Sequence, residues 1–266
     1  MCKLIILQAH NPASRLSIIK NAWSYFHATG ETDGFGTVWL TKKKKLAWMK
    51  SSSPHIGDSL PIFGDGFYEC SSDDESNGGW LLLHGRKATC GVNLDNTHPM
   101  LDDERAALIH NGVVKSDVFH NVSTTCDSEL LLRAWDQAGA KGLSDITGYF
   151  AFAMLIKRRD GWHTIVARDN TARLSVGSND LGWVWSTTPE GLALTGIDAK
   201  LICNHKPMTA ACFNPDNTLE VVQFEKGTER YSDLDSKWAV ASGGQDYYKR
   251  FKGLRDPELF ATNSME

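Results

Sequence analysis

Cys2 carries the densest chemistry in the chain, because trimming of the initiator methionine would leave it as the first residue. A terminal cysteine holds a thiol and a free α-amine together, so one residue supplies both a nucleophile and its proton acceptor. Their reference pKa values, roughly 8.5 and roughly 7.7–8.0, both lie near neutrality. The plainer reading is an ordinary cysteine opening the strand-like run Cys2-Lys3-Leu4-Ile5-Ile6-Leu7.

Four later segments hold groups that such a nucleophile could use. His84-Gly85-Arg86-Lys87-Ala88-Thr89-Cys90-Gly91 sets an arginine and a threonine three residues apart at the end of a strand, and the guanidinium offers a planar fork to a carboxylate. Asn96-Thr97-His98-Pro99 is a turn in which His98 suits a structural hydrogen bond. His110-Asn111-Gly112-Val113-Val114 closes a strand with a side-chain amide and an unhindered backbone N–H, two donors that could hold a developing oxyanion. Thr125-Cys126-Asp127-Ser128-Glu129 begins a helix with a carboxylate suited to an ammonium. Taken singly, each has a plainer reading: a surface ion pair for Arg86, a turn for Asn111-Gly112, a helix cap for Asp127.

The elements that must position these groups are mostly strands. Cys2 to Ala9 reads as a strand, followed by a helix from Ser14 to Ala28 with Leu16, Ile19, Trp23 and Phe26 on one face, Ser14 as its cap and Gly30 as its stop. Thr32-Asp33-Gly34-Phe35-Gly36 turns into a strand over Thr37 to Thr41, and Lys42 to Lys45 reads as a solvated turn, or less simply an anion site, before a strand at Leu46 to Met49. The polar run Ser71 to Gly79 is a surface loop ahead of a strand at Trp80 to His84, and another strand ends at Ile109-His110. A second helix spans Asp127 to Ala138, stopped by Gly139. Strands then follow at Tyr149 to Lys157, Trp162 to Arg168, Trp183 to Ser186 and Leu192 to Thr195, with a hairpin of Met208 to Phe213 and Leu219 to Phe224. From about residue 226 onward the chain reads as a tail or irregular wrap. The pattern is an α+β protein with large antiparallel sheets.

Composition excludes several classes. The 266 residues are 41% hydrophobic and 23% charged, enough to bury a full core, and a net charge of −4 gives no general attraction to nucleic acid or anionic lipid. No apolar run approaches the ~20 residues that span a bilayer, and the start lacks a secretory layout, so a cytoplasmic location is expected. The six cysteines lack short-range pairing, which points to thiols rather than a disulfide framework. Metal-ligand pairs such as Cys-x2-Cys are absent from the sequence, leaving only a spatial assembly of Cys90, His98, His110 and Cys126 as a conceivable zinc site; neither a metal nor another cofactor is expected.

In their joint order, Cys2, Thr32-Asp33-Gly34-Phe35-Gly36, His84-Gly85-Arg86-Lys87-Ala88-Thr89, Asn96-Thr97-His98-Pro99, His110-Asn111-Gly112 and Asp127-Ser128-Glu129 resemble the class II, N-terminal-nucleophile glutamine amidotransferases. The resemblance continues through Asp145 to Phe152, Ala167-Arg168-Asp169 and Ser186 to Glu190, covering roughly residues 2 to 200. It implies a four-layer αββα sandwich, with two antiparallel sheets between helices. It also implies that Cys2 attacks the side-chain amide of glutamine, giving a γ-glutamyl thioester and ammonia. Arg86 would grip the substrate α-carboxylate, with Thr89 adding a hydroxyl; Asp127 would hold the α-amine; Asn111 and Gly112 would form the oxyanion hole; and His98 would support its loop. Cys90 departs from the family, several members of which carry histidine there.

Two regions are expected, an amidotransferase-like domain over residues 2–225 and the tail over 226–266. With under seventy residues left beyond the motifs, the expectation is that ammonia goes to a separate acceptor subunit or to solvent. An amidase for a γ-glutamyl or other glutamine-like amide, and a non-catalytic binding or regulatory protein on the same fold, are the alternatives.

Overall fold

Alternating apolar side chains decide how the layers of this chain stack. The structure, a computed structural model, describes residues 2–9, 12–41, 44–52, 79–88, 91–118, 126–179, 182–196 and 203–225. Thr89, Cys90, the run 71–78 and the tail from 226 lie outside the described residues, as do Lys42 and Lys43.

One sheet has seven strands: β1 (Lys3–Ala9), β2 (Gly34–Leu40), β3 (Leu46–Ser51), β4 (Gly79–Arg86), β9 (Ser175–Asn179), β10 (Gly182–Ser186) and β11 (Cys203–Asn204), in the order β11-β9-β10-β1-β4-β2-β3. The other has six: β5 (Met100–Asp102), β6 (Ala106–Lys115), β7 (Thr147–Arg158), β8 (Gly161–Arg168), β12 (Thr209–Phe213) and β13 (Leu219–Gln223), in the order β13-β12-β8-β7-β6-β5. Every strand pair is antiparallel.

Because side chains alternate along a strand, each sheet has two apolar faces to cover. Leu4, Ile6, Val38, Trp80 and Leu82 of the first sheet meet Ala107, Ile109, Ala153, Leu155 and Val166 of the second in a shared core. The first sheet's other face, with Ile5, Leu7, Leu81 and Leu83, packs on Ile19, Ala22 and Phe26 of α1 (Pro12–Ala28). The second sheet's other face, with Leu108, Phe150 and Met154, packs on Leu131, Ala134 and Trp135 of α2 (Ser128–Ala138). The result is the expected four-layer sandwich. Each fully buried Leu or Ile contributes about 1.5–3 kcal/mol, so the three apolar layers dominate the stability.

Helix α1 starts at Pro12, two residues before the expected cap Ser14, because proline has no N–H to leave unpaired in a first turn. It ends as expected at Gly30, whose φ of 89° lets Glu31 N–H reach back to Phe26 O at 3.0 Å. Helix α2 ends at Gly139 and passes into a 3-10 helix over Gly139–Asp145.

Three expectations are corrected. Leu192 to Thr195 is not a strand: α3 (Pro189–Ala193) runs into it, with Thr188 Oγ1 accepting from Gly191 N–H at its start. The strand expected to end at Ile109-His110 continues to Lys115, so Asn111 and Gly112 lie inside β6 and form no turn. Gly79 belongs to β4 rather than to the preceding loop.

Candidate active site

Strand parity carries polar groups into the end of the shared core. In β1, Leu4 and Ile6 face the other sheet, and Cys2 continues their side; in β4, Trp80 and Leu82 do so, and His84 and Arg86 follow. In β6 of the opposite sheet, Ala107 and Ile109 face inward and Asn111 continues them. The pairing Lys3↔Gly85 brings Cys2 level with Arg86 one step further on. His84 Nε2 donates across the gap to His110 O at 3.1 Å, so the Arg86 end of β4 and the Asn111 stretch of β6 are joined.

The half-buried Cys2 Sγ donates to Lys87 O at 3.5 Å. Burial pushes the thiol's pKa up, and the Arg86 charge nearby opposes this. Arg86 is 3% exposed, which removes the surface-ion-pair reading, and its Nη2 donates to Gly91 O at 2.9 Å. Asp33 closes the same corner, accepting from Ala88 N–H at 2.8 Å and donating its own N–H to Arg86 O at 3.1 Å.

The segment from Gly91 to Pro99 lies against β2, and Gly36 is what admits it. A Cβ at Gly36 would stand 1.8 Å from His98 O, so any side chain there would push the segment away. Buried Asn96 also donates from Nδ2 to Gly91 O at 3.2 Å, and Thr97 Oγ1 donates to Asn93 O at 2.8 Å. The two glycines of Asp33-Gly34-Phe35-Gly36 thus serve the seating of this segment.

The edge of β6 beyond β5 is the most telling part of the site. Asp169 N–H bonds Phe150 O at 2.9 Å, so Phe150 spends its backbone groups toward β8 and not toward Gly112, its partner in β6. Alternation then turns the backbone groups of His110, Gly112 and Val114 to the edge that β5 leaves uncovered. Two of them have partners there: His110 O accepts from His84, and Val114 N–H donates to Asp127 Oδ2 at 2.7 Å. Gly112 N–H stands between the two, beside the side chain of Asn111. Gly112 holds φ at 151°, and a Cβ there would lie 2.1 Å from Tyr149 O. Asp127 stands at the N-cap position of α2 but makes no side-chain cap bond, its carboxylate being spent on Val114. The turn and cap readings fall with these observations.

Behind the edge sit three buried imidazoles. His98 Nε2 lies 2.9 Å and His110 Nδ1 2.8 Å from Ser128 Oγ, and the His84 and His98 rings pack with centroids 4.1 Å apart. Burial lowers the pKa of His84 to about 3 and of His110 to about 4, and that of His98 well below its ordinary value, so all three are neutral. Both rings turn toward a hydroxyl rather than converging on a cation site, and among the described residues no cluster of His, Cys, Asp or Glu could hold a metal ion.

The structure sets Cys2 level with Arg86 on adjacent strands of one sheet, and Asn111 and Gly112 in β6 of the other, where Val114 N–H bonds Asp127; the His84–His110 O bond links the two sheets. Thr89 lies outside the described residues. His84, Asp33 and Ser128 were missed as parts of the site. His84 had a signal, standing two residues before Arg86 and therefore on its face of the strand. The meeting of Ser128 with two histidines is tertiary and had none.

Residues 72–183 match the family model described as a glutamine amidotransferase domain. No protein of curated function matches the chain in sequence. Among solved structures, the glutamine phosphoribosylpyrophosphate amidotransferase of B. subtilis superposes with a TM-score of 0.59 at 18% identity, covering 84% of this chain and 49% of that one. An allosteric regulatory enzyme of purine biosynthesis gives a TM-score of 0.57 at 18% identity, with the same coverage of 84% and 49%. The chain thus spans about half the length of these structural neighbours. At that identity the likeness concerns the fold, and it agrees with the two stacked antiparallel sheets. Residues 72–183 are thus similar to a glutamine amidotransferase domain, and the chain shares the two-sheet fold of the two amidotransferase-type structures it superposes on.

Proposed function

We propose that the protein hydrolyses the side-chain amide of L-glutamine, with an unblocked Cys2 as nucleophile. What supports this reading is that Cys2 and Arg86 stand level on adjacent strands of one sheet, while Asn111 and Gly112 of the other follow His110, whose carbonyl His84 holds, and precede Val114, whose N–H Asp127 holds. The α-amine of Cys2 takes the thiol proton, and sulfur attacks the amide carbon. The carbonyl electron pair moves onto oxygen, where the Asn111 side-chain amide and Gly112 N–H receive it. As the oxyanion collapses the C–N bond breaks, the amine's proton goes to the leaving nitrogen, and ammonia departs from a γ-glutamyl thioester. Water then gives a proton to the same amine and attacks the thioester; glutamate leaves and the thiol is restored.

Arg86 and Asp127 define the substrate's head group. The guanidinium suits the α-carboxylate and the Asp127 carboxylate the α-ammonium, with Thr89 adding a hydroxyl. Both clamps together favour a substrate whose α-amine and α-carboxylate are both free, as in L-glutamine or a γ-glutamyl amide, over a glutamine inside a peptide chain, where both groups are tied up in peptide bonds. Ammonia then passes to an acceptor subunit or to solvent. Purified protein should release ammonia from L-glutamine, and Cys2→Ala should abolish the release with an unchanged unfolding midpoint; equal turnover in the variant rules the mechanism out.

A further inference from the structure

We infer that Ser128 is a positioning residue, whose hydroxyl, acting through His98 and His110, fixes Asp127 and the Asn111-Gly112 edge relative to Arg86 and Cys2. The inference rests on the glutaminase reading above and adds to it a group that never touches substrate.

A hydroxyl has one proton to donate and two lone pairs. Ser128 Oγ has three neighbours that fill this capacity: His110 Nδ1 at 2.8 Å, His98 Nε2 at 2.9 Å and the Cys126 thiol at 3.4 Å. Since the rings are neutral, one nitrogen must accept from the hydroxyl and the other must donate to it. Tyr149 O lies on the Nε2 side of His110 without closing a hydrogen bond to it, and the His110 proton is assigned to Nε2 and the acceptor role to Nδ1. His98 therefore donates through Nε2, and the chain runs one way, from His98 to Ser128 to His110. His84 extends it: a carbonyl can only accept, so Nε2–H of His84 holds His110 O.

The hydroxyl is thereby linked, directly or through the histidines, to the elements that carry Asp127, Asn111, Gly112 and Arg86. Ser128 follows Asp127 at the start of α2, His110 precedes Asn111 in β6, His98 ends the segment whose Gly91 carbonyl Arg86 holds, and His84 shares the face of Arg86 in β4. Ser128 is 1% exposed and the three histidines 0–4%, so water does not replace a lost bond cheaply. A catalytic geometry misplaced by about 1 Å costs on the order of 10²-fold in rate.

The test combines kinetics with imidazole 15N NMR. In wild-type protein at pH 6, His84, His98 and His110 are expected as neutral rings protonated at Nε2. Ser128→Ala should lower kcat/KM for L-glutamine at least tenfold, mostly in kcat, and move the His110 Nδ1 resonance toward that of an unbonded nitrogen. Ser128→Thr, which keeps the hydroxyl, should recover most of the loss. Chloroacetamide, which needs neither clamp, should alkylate Cys2 at the wild-type rate in both. A kcat/KM within twofold of wild type in Ser128→Ala, or His110 protonated at Nδ1, overturns the inference. If Ser128→Ala does not fold, the wild-type tautomers decide. If the wild type releases no ammonia, the glutaminase reading is what fails; a shifted His110 resonance in Ser128→Ala then still supports the positioning role, and an unshifted one overturns it.

Discussion

Two arginines face the layer between the sheets, and their surroundings could hardly differ more. Arg168, at the end of β8, donates to His205 O and Ala172 O at 2.7 Å each, and burial brings its pKa down to about 10. Beside it the fully buried Asp169 accepts from Thr171 N–H, Thr171 Oγ1 and Ala172 N–H, while His205 Nδ1 accepts from Trp185 Nε1–H at 3.2 Å. That cluster is closed on protein groups. Arg86 instead lies level with a thiol, gives Nη2 to Gly91 O, and shares its face of β4 with His84, which holds His110 O of the other sheet. Burial of charge is common to both regions; what separates them is where the donors point. The first arrangement ties loops to the sheet, and the second is the one the proposed reading gives to the substrate.

The contrast can be broken at either end. Asn111→Ala should lower kcat about 10²–10³-fold while leaving the unfolding midpoint nearly unchanged, because it removes an oxyanion donor; an intact kcat would return Asn111 to a structural role. Arg168→Met should do the reverse, losing on the order of 3 kcal/mol in denaturant unfolding with KM unchanged, since it strands two carbonyls. Arg86→Lys should raise KM roughly tenfold, because an ammonium cannot copy a two-pronged contact, one prong missing being worth about 1.4 kcal/mol. An equal effect of the two arginine substitutions on KM would erase the distinction.

A smaller effect concerns pH. His84, His110 and His205 have pKa values lowered to about 3, about 4 and about 3, so the folded protein refuses protons that the unfolded chain accepts below about pH 6.5. Stability contributed by the neutral rings is present above that value and is lost as pH falls toward 4. Thermal unfolding should show the midpoint dropping across this window, and a flat profile would mean that the rings are not buried.

Much of this was legible in the sequence where a segment decides its own structure. The face of α2 shared by Leu130, Leu131, Ala134 and Trp135 and its Gly139 stop, and the β-branched and aromatic runs of β7 and β8, needed no tertiary help. Leu192 to Thr195 was misread because four residues fix no period, although Thr188-Pro189-Glu190 just before it is a helix-start signature. Asn111-Gly112 reads locally as a turn, yet β7 pairs with the strand straight through it, and pairing overrides local preference. Strand β9, Ser-Val-Gly-Ser-Asn, has weak strand propensity and is held by its neighbours on both sides. The site residues were legible as types in an order; their shared orientation came from strand parity, which needs the register.

The most direct measurement is the intact mass of the purified protein before and after treatment with a glutamine-shaped electrophile. The account predicts a chain lacking Met1 that gains one adduct on Cys2, with L-glutamine slowing the reaction. A retained methionine with no adduct, or an adduct on another cysteine that glutamine does not protect, would contradict it.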